Sequence, residues 1–131
     1  MSEVRDGLLY TKDHEWSKVE GDRVRSGITD HAQHELTDLA FSQLPKLGQK
    51  VKQGEALAIV ESVKNTADVF SSVTGEVVEV NSPLEEDPAA VNTDPYGRGW
   101  LAVVKASNAS ELRAMMDADA YRELLKRGGK D

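Results

Sequence analysis

The chain has 131 residues, a net charge of −7, a pI near 5.0 and no cysteine. That length implies one domain over 1–131, and a composition 39% hydrophobic with few aromatics supplies one modest core of Val, Leu, Ile and Ala. The charge disfavours a nucleic-acid binder, which needs a basic face, and suits a soluble protein that docks on larger partners. The absence of cysteine excludes disulfides, thiolate nucleophiles, iron–sulfur clusters and cysteine-based zinc sites. The apolar runs 56–60 and 100–104 are too short to span a bilayer. Glu3 and Asp6 stand where a signal peptide would be apolar. With no transit-type segment either, the expectation is a prokaryotic chain or an already mature one.

Strand and turn signals fill the first three quarters. Leu8-Leu9-Tyr10 opens a strand, Thr11-Lys12-Asp13 turns, and Trp16 and Val19 bracket a second strand. Gly21-Asp22 is a two-residue hairpin turn before a return strand from Val24 to Ile28. Asp30 and Gln33 have the spacing of a capping box, predicting a short helix near 30–37. Leu39, Phe41 and Gln43 then alternate as a strand closed by Pro45 and Gly48. Val51 to Glu55 turns into the apolar strand Ala56 to Val60, and Ala67 to Phe70 forms the next one. Gly75 heads a further strand, where it is expected to supply a positive-φ turn or bulge. Asn81-Ser82-Pro83 ends that strand, and Glu85 to Pro88 is an acidic loop, read as a solvated turn. Asn92 to Gly99 has turn chemistry throughout, and Trp100 to Lys105 is the last strand. In the segment of about 108–127, Leu112, Met115, Met116, Tyr121, Leu124 and Leu125 fall at helical spacings. Ser110 and Asp117 are the N-cap candidates there, and the Met pair is expected to pack on the sheet.

One residue stands out for chemistry. Lys64, in Val60-Glu61-Ser62-Val63-Lys64, sits at the bend between two strands. A rigid hairpin there would hold one amine out in solvent, the geometry needed for its selective acylation. Eight other lysines lack that context. No Ser-His-Asp order, phosphate-cradling glycine loop or dinucleotide fingerprint is present. His31 and His34 are three apart on the predicted helix, which could suit a metal, but no third ligand accompanies them, so surface histidines are the better reading.

The lysine hairpin resembles the attachment site of the biotinyl/lipoyl carrier superfamily. Glu61-Ser62-Val63-Lys64 is similar specifically to the H protein of the glycine cleavage system, rather than to the Met-Lys-Met of biotin carriers or the Asp-Lys-Ala of acyltransferase components. Other segments match that family in order: His14-Glu15-Trp16, Gly27-Ile28-Thr29-Asp30 with Ala32-Gln33, Leu44-Pro45 with Gly48, Gly75-Glu76-Val77 with Asn81, Asn92, Asp94-Pro95-Tyr96 and Gly99-Trp100. Departures from the family pattern include Thr37 at a usual glycine, Asn65-Thr66 after the lysine, Ser72 at a common proline, and Ser17-Lys18 at a more apolar pair.

The resemblance implies a mainly β fold, a flattened barrel-sandwich hybrid of lipoyl-domain type, with a core over about 24–105, a short helix near 30–37 and C-terminal helices. It implies a carrier, not an enzyme. Lipoate would be joined to Lys64 as an amide by a lipoate ligase or a lipoyl synthase system. The arm would take an aminomethyl group from the pyridoxal-phosphate glycine decarboxylase to the tetrahydrofolate-dependent aminomethyltransferase and be reoxidised by the FAD-containing dihydrolipoyl dehydrogenase. Glu61, Ser62, Val63 and Gly75 would serve ligase or partner recognition. Glu15 and Asp68 are candidates for an acidic cleft that holds the loaded arm, although Glu15 reads equally as a surface strand carboxylate and Asp68 as a solvated hairpin position. The prokaryotic cytoplasm is the expected location, a mature mitochondrial chain the alternative. A lipoyl carrier of another pathway, such as sulfur-compound oxidation, and an unmodified interaction module are the other functional readings.

Overall fold

The computed structural model describes residues 2–128. Within them the alternating segments form nine strands: β1 (Leu9–Tyr10), β2 (Glu15–Glu20), β3 (Arg23–Ile28), β4 (Leu39–Gln43), β5 (Lys50–Val51), β6 (Ala56–Ser62), β7 (Thr66–Phe70), β8 (Gly75–Val80) and β9 (Ala102–Ala106). Three α-helices accompany them: α1 (Asp30–Leu36), α2 (Ala90–Thr93) and α3 (Ala118–Arg127). A six-stranded sheet runs β1-β2-β3-β9-β8-β5, and a three-stranded sheet runs β4-β6-β7. Ile28 and Leu101 from the first sheet side meet Leu39, Val60 and Val69 of the second in one buried cluster. The two sheets therefore close over a shared apolar layer without joining into one barrel, the flattened sandwich that the motifs imply. Each of these side chains, fully covered, contributes about 1.5–3 kcal/mol.

Several motifs that lie far apart in sequence meet across this frame. Trp16 pairs with Gly27 across the β2–β3 hairpin. A Cβ on Gly27 would sit 2.7 Å from Trp16 Nε1, so only glycine lets the indole lie flat there. That indole N–H donates to the Pro95 carbonyl at 3.0 Å. Asn92 Nδ2 donates to Gln33 Oε1 and to the Thr37 carbonyl, while its Oδ1 accepts from Leu39 N. One amide thus fixes α1 against the start of β4. Tyr10 and Tyr121 stack with ring centroids 4.5 Å apart and 1° between planes, and both are fully buried.

Local expectations were corrected in several places. Thr29, not Asp30, caps α1, accepting from Ala32 N; Asp30 is already helical and accepts instead from Gln33 Nε2. A bulge between Leu39 and Phe41 breaks the alternation of β4. It turns Leu39 and Ser42 inward and leaves Phe41 48% exposed. The stretch read as turns begins inside α2, a single helical turn. Asn108 caps the 3₁₀ segment Ala109–Ala114, accepting from Ser110 N, so Ser110 is not the cap; Asp117 does cap α3. Tyr121 and Leu125 are buried, whereas Leu112 and Met116 are only partly covered.

The end of α1 is strained. Thr37 has φ 65° and ψ −157°, a region that essentially only glycine occupies without cost. Replacing a β-branched residue there relieves roughly 1–3 kcal/mol of strain, offset by about 0.5–1 kcal/mol of extra chain entropy for glycine. Thr37→Gly is therefore expected to stabilise the fold by about 1 kcal/mol and raise the melting temperature by a few degrees. A lowered melting temperature in thermal unfolding would show that the threonine side chain outweighs its backbone strain.

Candidate functional site: a lysine hairpin and a carboxylate cleft

Apolar β-branched residues drive β6 and β7 to pair, and their register sets Glu61 opposite Thr66. The tip is Ser62 to Asn65. Ser62 N donates to the Asn65 carbonyl at 2.8 Å, and Asn65 N donates to Ser62 Oγ at 3.1 Å. The serine hydroxyl, which also donates to the Asn65 carbonyl, replaces a backbone carbonyl in closing the turn. Ser62 thus clamps the hairpin base. Val63 and Lys64 project from it, Val63 at 93% exposure and Lys64 also exposed. Among the described residues Lys64 has no hydrogen-bond or ion-pair partner, so its amine is available for modification. Glu61 is half-buried beside it.

The second feature lies at the opposite end of β7. The turn before β2 is closed by His14 N donating to the Thr11 carbonyl, with His14 at φ 68°. It delivers Glu15 into the interior at 3% exposure. Glu15 Oε2 accepts from Phe70 N at 2.8 Å, and Oε1 accepts from Thr11 Oγ1 at 2.8 Å. Burial pushes this carboxyl above its ordinary value of 4.5, against the pull of those two hydrogen bonds. Glu15 lines an open cleft of about 480 Å3 with Thr11, Lys12, Gln53, Phe70, Met115 and Met116. The Met pair therefore walls this cleft; Met116 also packs against the cluster of Tyr10 and Trp16 and exchanges backbone hydrogen bonds with Tyr10. From Thr66, at the foot of the lysine hairpin, to Phe70 is roughly 13 Å along the strand.

Asp68 is exposed and lies two residues from Phe70, outside that lining. Gly75 does not have the positive φ expected of it. It pairs with Ala106, and a Cβ there would fall 2.0 Å from the Lys105 carbonyl oxygen, so glycine is required for strand approach, not for a turn. His31 sits 3.2 Å from Glu35, and its ring lies 4.4 Å from that of His14. His34 faces Asp30 at 3.9 Å. His14 Nδ1 and Tyr121 Oη are 2.7 Å apart, and burial lowers the His14 pKa, with His31 adding to the effect. Among the described residues no cluster of three His, Cys, Asp or Glu side chains could hold a metal ion, and no helix is long and apolar enough to cross a membrane.

Residues 8–128 match the family model described as "Glycine cleavage H-protein". The chain belongs to the glycine cleavage H-protein family. It is 50% identical over 127 residues to a glycine cleavage system H protein of Stenotrophomonas maltophilia (strain K279a), covering 96% of this chain and 97% of that one. It is also 50% identical over 125 residues to a probable glycine cleavage system H protein of Pyrococcus abyssi, covering 94% and 92%. The crystal structure of a glycine cleavage system H protein from Mycobacterium marinum superposes with a TM-score of 0.84 at 39% identity, covering 96% of this chain and 99% of that one. Membership in the H-protein family makes the chain a lipoyl carrier of the glycine cleavage system and brings it partner enzymes of that system. Within this H-protein fold, two features of the cleft had no clear sequence signal. Thr11 holds Glu15 from four residues upstream across a turn, and Phe70 contributes a backbone amide that no side-chain pattern encodes.

Because the folded-state pKa of Glu15 is raised, the folded protein disfavours its ionisation. The associated stability is complete below 4.5, falls as pH rises through the raised folded value, and is level above it. Glu15→Gln keeps an acceptor for Phe70 N and has no charge to desolvate. The variant is expected to be the more stable protein at neutral pH, with the difference shrinking as pH falls towards 4.5. Urea unfolding across that range checks this, and a gap that widens on acidification would contradict it.

Proposed function

We propose that Lys64 is the lipoyl-attachment residue and that the chain works as one non-catalytic carrier domain over 1–131. The observation that carries this is an exposed amine, with no partner among the described residues, at the tip of a hairpin whose base is clamped by Ser62. Such a tip fits an amide-linked arm, since acylation removes the lysine charge without breaking a hydrogen bond or ion pair among the described residues. The bound lipoate supplies the reactive sulfurs that this cysteine-free chain lacks. The proposed partners are the pyridoxal-phosphate glycine decarboxylase that donates the aminomethyl cargo, the tetrahydrofolate-dependent aminomethyltransferase that removes it, the FAD-containing dihydrolipoyl dehydrogenase, and a lipoate ligase or lipoyl synthase system. The prokaryotic cytoplasm is the proposed location.

Glu15 is proposed to hold the cargo's ammonium in the cleft. Each of its oxygens already accepts one hydrogen bond, which leaves carboxylate lone pairs for another donor. An incoming cation would offset the cost of its buried charge. Phe70, Met115 and Met116 would exclude water from the same space. Asp68 would add a more solvated charge on the path from Lys64. Glu61, Val63 and Gly75 are kept as recognition residues, and Ser62 recognition would be exerted through the shape it gives the tip.

Expression with lipoate and a ligase should add one lipoyl mass to the wild-type chain and none to Lys64→Ala, with both melting alike. Modification that persists in Lys64→Ala would move the site elsewhere. A second measurement addresses the cleft. The Glu15→Gln, Asp68→Asn double variant and the wild type are loaded, freed of partner enzymes and followed for ammonia or formaldehyde release. A charge-assisted bond contributes about 1.5–3 kcal/mol, so release should quicken roughly tenfold or more in the variant. Equal decay would leave both carboxylates without a role in protecting the cargo.

A further inference from the structure

The register of the lysine hairpin determines which backbone groups of β7 are free. Ser62 N donates to the Asn65 carbonyl, so that pair is a hydrogen-bonded one. Antiparallel pairs alternate between bonded and non-bonded. Val60 with Ala67 and Ala58 with Val69 are then bonded pairs, while Glu61 with Thr66 and Ile59 with Asp68 are not. Thr66 and Asp68 therefore direct their N–H and C=O groups away from β6. Phe70 gives an independent check two residues further on, because its N–H also points outward, where Glu15 Oε2 accepts it. β7 is the last strand of its sheet. Among the described residues, no side chain or outside strand bonds to the Thr66 or Asp68 backbone.

We propose, on the strength of the carrier reading above, that this edge is a docking rail: the enzyme that acylates Lys64 adds an extended basic segment of its own to β7 as a fourth strand. Such strand addition uses main-chain hydrogen bonds for affinity and alternate side chains for selectivity. The free donors of Thr66 and Asp68 are spaced roughly 6.6 Å apart, the repeat of an added strand. Glu15 occupies the third donor at Phe70, so the rail is closed at its far end and open beside Lys64. The side chains of Thr66 and Asp68 share one face with those of Ile59 and Glu61 on β6. An added strand would place its own alternate residues beside that anionic face, which selects Lys or Arg there. Isolated edges are normally blunted against unwanted pairing, and Asp68 would also serve that purpose by rejecting acidic or apolar strands.

The acylating enzyme is the partner this rail suits because of reach. Before acylation, the amine extends no further than the lysine side chain itself. An enzyme that must bring Nζ to an activated acyl group therefore has to hold the backbone next to Lys64. Enzymes that act after acylation meet the end of a long arm and have no such need.

The test uses the full-length unmodified chain and an ATP-dependent lipoate ligase. Asp68→Pro and Thr66→Pro each delete one outward donor and leave the β6–β7 bonds in place. Thr66→Ala alters the same edge but keeps the donor. Each proline variant should raise the KM for acylation tenfold or more, while Thr66→Ala should stay near wild type. Amide hydrogen exchange of the wild-type chain gives a second readout independent of any substitution. The Thr66 and Asp68 amides should exchange much faster than those of Ala67 and Val69 in the free protein and slow on addition of ligase. Wild-type KM values in both proline variants, or no protection at positions 66 and 68 on ligase binding, would overturn the proposal. A wild-type chain that is never acylated at Lys64 would overturn the carrier reading and this inference with it. Acylated wild type with indifferent proline variants would overturn the rail alone.

Discussion

The Glu15 carboxylate is the tie on which the two sheets and the cleft between them depend. It is buried at the head of β2 and reaches across to take the Phe70 amide at the edge of β7. That bond gives a partner to an outward strand N–H at the edge of β7 that β6 cannot reach. Its two flanking residues extend the same junction. His14 meets Tyr121 of the C-terminal helix, and Trp16 lies over Gly27 and bonds to Pro95. Three consecutive side chains therefore anchor α3, the lysine sheet and the loop before β9 at one point. Burial raises the pKa of this carboxyl, so the fold alone does not favour its charged form.

Elements with a strong local cause could be read from the sequence. The β2–β3 hairpin follows from Gly21, which takes φ 66° between two alternating runs. The Asp117 cap and apolar spacing of α3 give a helix in the expected place. Failures came where tertiary contacts decide. Phe41 alternates correctly in sequence, but a bulge in the pairing of β4 with β6 turns it outward. Thr29 rather than Asp30 caps α1, and its hydroxyl also meets Tyr121 Oη at 2.8 Å, a partner 92 residues away that no local pattern encodes. Gly75 looked like a turn glycine and proved to be a close-approach glycine, a distinction set by the neighbouring Lys105 carbonyl.

The site divides along the same line. Lys64 stood out because its surroundings are local: two strands, one serine and an exposed tip. The cleft did not, because its parts come from the turn at 11–14, from β7 and from the chain at 114–116. Glu15 could be suspected from its motif, yet its burial and its two donors belong to the assembled sheets. Asp68 shows the opposite case. It lies on the strand expected for it and in solvent, as the solvated reading of its position had it, two residues from the amide that Glu15 takes.

Rigidity at the tip and weakness at the cleft work together in the carrier reading. Ser62 removes freedom from the hairpin base, so an arm on Lys64 would move only through its own torsions. The β7 backbone sets a fixed span of roughly 13 Å between that base and Phe70. A tethered group of matching length is presented to the cleft at an effective concentration of order millimolar. If Glu15 holds the cargo as proposed, even weak binding would then be enough to keep it docked when no partner is near. Strong binding would be a disadvantage in that reading, because a partner enzyme would have to draw the cargo out of the cleft to collect it. A carboxylate already committed to Phe70 N and Thr11 Oγ1 meets this requirement better than a free one. It would offer charge to an ammonium without its full set of acceptor sites, and the docked state would stay reversible.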